Sequence, residues 1–243
     1  MTGSKQVYLT GKNFIDRIVK GERNFSGVLL EKGFDAAKSA AEAGLTKEKF
    51  PDIVSDSPFI FSNSVFEEIN LTNFQLEGSI AENAEFKKCN FQYAHISRGD
   101  FSKSVFESCN FSHAMLNDIS FIGCRCAGTI FDNAVCGAAN FWKSVLCDAA
   151  FIRANLEESI FCETDLRNAD LTMANLKKSN FWKAVVDGTC FFKSKLYSAN
   201  LKGVISMNNA RLLEYGIFRR TRVSSDEQAL LSAKMIHYFF DRI

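Results

Sequence analysis

Ala169-Asp170-Leu171-Thr172-Met173 runs straight into Ala174-Asn175-Leu176-Lys177-Lys178, and these ten residues decide the fold. Each unit of five has a small residue first, Asp or Asn second and Leu third. Ala199-Asn200-Leu201-Lys202-Gly203 repeats the pattern. Outward from here the beat holds from Phe61 to Leu201 without a slip. Of the 29 positions at that spacing, 14 are Phe and 10 are Leu; Ala81, Ile96, Cys126, Cys136 and Val186 fill the rest. Two residues earlier, 25 of 29 positions hold Ala, Ser, Thr, Gly or Cys, the exceptions being Phe59, Ile69, Phe74 and Ile119. A fixed short period marks a solenoid, in which each unit buries its apolar side only by stacking on the next.

With the large residue called position i, positions i and i−2 lie on the same side of an extended segment and both point inward. A large and a small side chain together fill a narrow interior without voids. No proline follows Pro58, as a continuous backbone ladder requires. Phasing the units by twenty sorts the core into columns. Leu76, Ile96, Leu116, Cys136, Leu156, Leu176 and Leu196 form a column with no aromatic residue. Leu71, Phe91, Phe111, Phe131, Phe151, Leu171 and Phe191 form one dominated by Phe. The twenty-residue period therefore shows independently of the five-residue one.

The units at 169–178 and 199–203 resemble the A-[DN]-L-x-x repeats of the pentapeptide-repeat family, and the resemblance covers about 58–204. It implies an all-β solenoid, a right-handed quadrilateral parallel β-helix with one pentapeptide per face. At about 4.8 Å between stacked strands, about seven coils make a rod roughly 35 Å long. Three segments are expected: an N-terminal cap at 1–57, the β-helix at 58–205, and a helical cap or dimerisation segment at 206–243. Within the first, 13–20 reads as a short helix, Val28, Leu29 and Leu30 as part of a first irregular coil, and 35–49 as a helix inserted before the regular column. In the last, Ser224 and Ser225 precede Glu227 and Gln228 as candidate capping boxes. The helix after them carries Leu230, Leu231, Met235, Ile236, Phe239 and Phe240, which cover the final coil or pair with a second copy.

Composition excludes several classes. No apolar run is long enough to span a bilayer, and the stretch 1–6 lacks the apolar core of a signal peptide, so a cytoplasmic protein is expected. Net charge is +1, which argues against direct nucleic-acid binding through a basic stripe. Of eight cysteines, Cys89, Cys109 and Cys124 take the small inward position and Cys126 and Cys136 the large one, where a thiol behaves as a small hydrophobe. Cys147, Cys162 and Cys190 fall outward. No Cys-x-x-Cys pair exists, so a zinc site and other metal or cofactor sites are not expected.

No phosphate loop, metal motif or nucleophile elbow appears. His95 and His113 fall outward without a phased acid partner, and no catalytic residue is assigned; the chain reads as a non-enzyme. Asn70, Asn90 and Asn110 are expected to hydrogen-bond one another along the column. The informative surface is one outward stripe: Ile122, Trp142, Cys162 and Trp182 recur at i+1 every twenty residues, beside Lys103, Gly123, Lys143, Glu163 and Lys183 at i+2. Ile122, Trp142, Lys143, Cys162, Trp182 and Lys183 are the candidate partner-binding set, because Trp flanked by cations is a common interface anchor. A flanking segment packed over the stripe is the equally weighted alternative. The expected function is a non-catalytic interaction module for a protein partner or for itself, with a homodimer through the C-terminal helix as one form. The resemblance adds a second reading, since some family members mimic DNA and bind DNA gyrase, and a third, a secreted effector. Gyrase mimicry needs dense negative charge along the rod, and acids and bases here nearly balance.

Overall fold

The computed structural model describes residues 7–43, 58–206, 210 and 221–222. From Ile60 to Ile205 the backbone forms parallel bridges at intervals of twenty residues, in four ladders, and Asn200 pairs with Arg222 beyond them. Examples are Ile60↔Ile80↔Asp100, Val105↔Arg125↔Val145, Asn70↔Asn90↔Asn110 and Gln75↔His95↔Met115. The five-residue beat is therefore four faces of one solenoid. Five short strands, β1 (Val7–Leu9), β2 (Val28–Leu30), β3 (Val65–Glu67), β4 (Glu85–Lys87) and β5 (Val105–Glu107), pair parallel in that order.

The N-terminal register shows where the regular column begins. β1 pairs with β2 at a spacing of 21, and Leu29 in β2 pairs with Val65, 36 residues on. Helix α1 (Gly11–Val19) occupies the first long turn and α2 (Ala36–Glu42) opens the second. Thr10 Oγ1 caps α1 by accepting from Asn13 N at 3.2 Å, and Asp35 caps α2 by accepting from Lys38 N at 2.8 Å. The apolar spacing of α1 buries Phe14, Ile15 and Ile18, and Phe14 packs on Phe25, Phe34 and Phe61 with centroids 4.6, 5.4 and 6.5 Å away. The helix expected at 35–49 is described only as α2; its remainder lies outside the described residues. So does most of 206–243, including the capping boxes at Ser224 and Ser225 and the expected dimerisation helix.

Inside the column every large position from Phe61 to Leu201 is buried. Phe91, Phe111, Phe131 and Phe151 stack at 4.5, 5.2 and 4.7 Å with planes 4° apart. The column on the opposite face, Phe121, Phe141, Phe161 and Phe181, stacks likewise and meets the first edge-on across the interior, Phe151 against Phe161 at 89°. Both arrangements suit the ring quadrupole, and each buried Phe contributes on the order of 1.5–3 kcal/mol. The small position has a second task. Cys124 Sγ, Thr129 Oγ1, Ser144 Oγ and Thr164 Oγ1 each donate to a carbonyl 23 residues earlier, at 2.9, 2.9, 2.5 and 2.7 Å. A hydroxyl or thiol is thus admitted to the core with its hydrogen bond made.

Asn70, Asn90 and Asn110 do not bond to one another as expected. Their side-chain oxygens turn to the corner of their own unit and accept from Thr72 N, Gln92 N and Ser112 N at 3.2, 3.0 and 2.9 Å. The reason is local: an Asx oxygen reaches the amide two residues on. Stacked asparagine bonds occur elsewhere, from Asn175 to Asn155 and from Asn200 to Asn180.

All 29 corners place residue i+2 in the left-handed region. Five use glycine, while the other 24 use residues with side chains, φ running from 53° to 63°. That conformation costs an L-residue roughly 1–2 kcal/mol. Ala138, at φ 54° and exposed, tests the point cleanly. Ala138→Gly is expected to be neutral or to stabilise by up to about 1 kcal/mol, and Ala138→Val to destabilise by about 1–2 kcal/mol. Urea midpoints measure both; a Val variant as stable as wild type would remove the strain argument.

Candidate functional site

The candidate stripe sits on one corner of the column. Its vertical spacing is set by the backbone, because the i+2 amide of each coil donates to the i+1 carbonyl of the next. Lys103 N reaches Ile122 O, Gly123 N reaches Trp142 O, Lys143 N reaches Cys162 O and Glu163 N reaches Trp182 O, at 2.8–3.0 Å. The corner itself is pinned by asparagine: Asn140 Oδ1 accepts from Trp142 N at 3.0 Å and Asn180 Oδ1 from Trp182 N at 3.1 Å. Two like units, Asn-Phe-Trp-Lys, are thereby held two coils apart, about 9.6 Å at the usual strand spacing.

Trp142 and Trp182 are 40% and 39% exposed, whereas Ile122 and Cys162 are half-buried. Each indole carries its neighbouring cation. Lys143 Nζ lies 4.6 Å from the Trp142 ring centroid and Lys183 Nζ 4.3 Å from that of Trp182, an arrangement worth about 0.5–1 kcal/mol at an exposed site. Trp142 Nε1 also donates to Glu163 Oε1 at 3.3 Å, and Lys143 Nζ stands 3.9 Å from Glu163 Oε2. All six sequence-nominated residues therefore lie on one corner. Glu163 joins them as the residue the nomination left out; its place in the i+2 column was the available signal.

The thiols on and beside this corner are not activated. Burial pushes the Cys162 thiol above its ordinary value, so it is not an activated thiolate. On the adjoining corner, burial and then Asp165 push Cys147 up as well. The Arg167 guanidinium grips Asp165, at 2.6 Å from Oδ2, and holds its carboxyl below the usual range. Of the histidines, His113 stacks on Tyr93 at 4.9 Å, and His95 stands exposed in the ladder between Gln75 and Met115. Among the described residues no group of three or more His, Cys, Asp or Glu side chains could hold a metal ion. No helix of the described residues is long and apolar enough to cross a membrane.

Charge is spread by pairing. Lys87, Lys88, Arg98, Lys103, Lys143, Arg167 and Lys178 each lie within ion-pair distance of a Glu or Asp. Such exposed pairs add little stability, yet they leave the shaft a mixture of signs.

Two family models of pentapeptide repeats match the chain, one with nine copies over residues 81–125, the other with eight copies over 129–168 and 144–182. No curated protein matches. Among solved structures, a trypsin-treated form of QnrB1, a plasmid-mediated fluoroquinolone resistance protein, is 16% identical. It covers 75% of this chain and 90% of its own at a TM-score of 0.46. HetL, a pentapeptide repeat protein involved in heterocyst differentiation regulation in the cyanobacterium Nostoc sp. strain PCC 7120, is 17% identical over 84% of this chain and 98% of its own, with a TM-score of 0.29. A pentapeptide repeat protein of the Arabidopsis thaliana thylakoid lumen is 30% identical over 35% of this chain and 63% of its own, with a TM-score of 0.30.

Proposed function

We propose that this chain, a pentapeptide-repeat protein, works as a non-catalytic interaction module: a rigid rod that offers the Trp142–Trp182 corner to a protein partner. The observation that carries the reading is the pair of indoles standing in solvent with lysines on their rings. A large apolar ring beside a cation is the composition of an interface anchor. The same reading takes the ladders as a right-handed, four-sided β-helix of about seven coils at 58–205, with 1–57 and 206–243 as its caps, and places the protein in the cytoplasm. Gyrase binding, implied by the family resemblance, stands second. The first coils do carry more acids than bases, but Glu67, Glu68, Glu77, Glu82 and Glu85 are all paired with cations, which works against the dense negative charge that DNA mimicry requires.

Affinity capture with wild type and with the Trp142→Ala/Trp182→Ala double variant tests the first reading. Loss of the captured partners, by tenfold or more, is expected if both indoles are anchors. The same partners recovered by both proteins would remove the stripe as the binding surface, and stripe-independent recovery of gyrase would promote the second reading.

A further inference from the structure

We propose that the occupant of this corner is a second copy of the chain, lying antiparallel along the same stripe. The inference rests on the reading of the stripe as the interaction surface and names its partner. It comes from the order of charges along the corner, level by level: Glu82, Lys103, Gly123, Lys143, Glu163 and Lys183, with Ile122 and Trp142 beside the two central levels. A two-fold axis placed midway between the Ile122 and Trp142 levels sets Lys103 against the partner's Glu163 and Glu82 against the partner's Lys183. Ile122 then meets the partner's Trp142. By symmetry every one of these contacts occurs twice, as an isologous interface requires.

Other arrangements are worse on the same terms. Moving the axis half a level, onto Trp142, sets Lys143 against itself and Lys103 against the partner's Lys183. Moving it the other way, onto Ile122, opposes Lys103 with the partner's Lys143 and Glu82 with the partner's Glu163. Like charges facing across an interface cost several kcal/mol. A parallel pair would oppose every lysine with its own copy. Axes a full level away keep one opposite-charge pair in place of two and shorten the overlap. The chosen register alone overlaps all eight levels from Ser62 to Lys202.

The contacts also extend pairs already formed within one chain. Lys103 Nζ holds Glu82 at 2.7 Å, and Lys143 stands by Glu163. Across the axis these join into one alternating row: Lys143, Glu163, the partner's Lys103, the partner's Glu82, Lys183. Among the described residues Lys183 has no ion pair of its own, and it is exposed. Eight levels make a strip about 34 Å long, and one corner's width of it buries less than the roughly 800 Å² per partner of a standard interface. A micromolar, salt-sensitive dimer is therefore expected.

Sedimentation velocity from 5 to about 200 µM, in low and high salt, is the first measurement, with a dissociation constant on the order of 10 µM expected. Lys103→Glu should weaken association about tenfold, and adding Glu163→Lys should restore most of it, because the pair is then rebuilt across the axis with reversed sign. Ser102→Cys, treated with a short bismaleimide, should link position 102 to Cys162 of the other molecule, as located by mass spectrometry. A protein monomeric at the highest concentration overturns the proposal. So does a dimer linked only through Cys162 to Cys162, or one indifferent to the Lys103 and Glu163 variants. These outcomes are separable from failure of the stripe itself: a monomer whose double tryptophan variant still loses its captured partners keeps the stripe and discards the second copy.

Discussion

Phe151→Asp is expected to abolish cooperative folding of the column, whereas Phe151→Leu should remain folded and lose on the order of 1 kcal/mol. Phe151 is fully buried, stacked 4.7 Å from Phe131 and edge-on to Phe141 and Phe161 at 5.7 and 6.1 Å. Truncating such a ring costs about 3–5 kcal/mol, and leaving a carboxylate among Phe rings adds several more. The total approaches the entire stability of an ordinary domain, about 5–15 kcal/mol. Leucine is admissible because Leu171 continues the same column one coil further on. In a stacked architecture the damage spreads to neighbouring coils, since each is completed only by the next. Circular dichroism and thermal melting decide it: an aspartate variant that melts like wild type would mean that position 151 does not face the core.

Alkali should unfold the protein through its buried thiols. Burial pushes Cys109, Cys126 and Cys136 up, far from ionisation in the folded state. In the unfolded chain each returns to a value near 8.5. A group with a raised folded value contributes its full stabilisation below the unfolded value and loses it as pH rises. The loss therefore begins near pH 8.5 and grows by about 1.4 kcal/mol per pH unit for each thiol. By pH 10.5 the three together remove roughly 8 kcal/mol, enough to unfold a domain of ordinary stability. A Cys109→Ala/Cys126→Val/Cys136→Val variant should start somewhat less stable at pH 7, through its altered packing, but fall much less steeply. Urea midpoints between pH 7 and 10.5 measure the two slopes. Equal slopes would show that these thiols do not titrate on unfolding.

The core was legible because it is written in phase. The Phe column at 91–151 and the column of 76–196, which lacks aromatics, followed from counting by twenty, and so did the inward placement of Cys126 and Cys136. The N-terminal helices showed in part, the stretches at 13–20 and 35–49 overlapping α1 and α2, whereas their caps Thr10 and Asp35 were not singled out. What could not be read was the partner of each polar atom. Asn70, Asn90 and Asn110 face a choice between the corner amide two residues on and the asparagine twenty residues on, and the pattern does not rank them. The lysine over each indole is a rotamer choice at an exposed position, which the repeat does not dictate. Glu163 escaped for the same reason: its bond to Trp142 joins residues one coil apart and different positions of the repeat.

The ladder bonds have a mechanical consequence. They run from coil to coil, along the length of the rod, while the chain itself circles across it. A pull on the last coil therefore loads only the few bonds joining it to the one beneath, and they part in succession rather than all together. Each released coil pays out 20 residues, about 65–70 Å of slack at full extension. The column should yield to tension as a spool does, one turn at a time and at modest force.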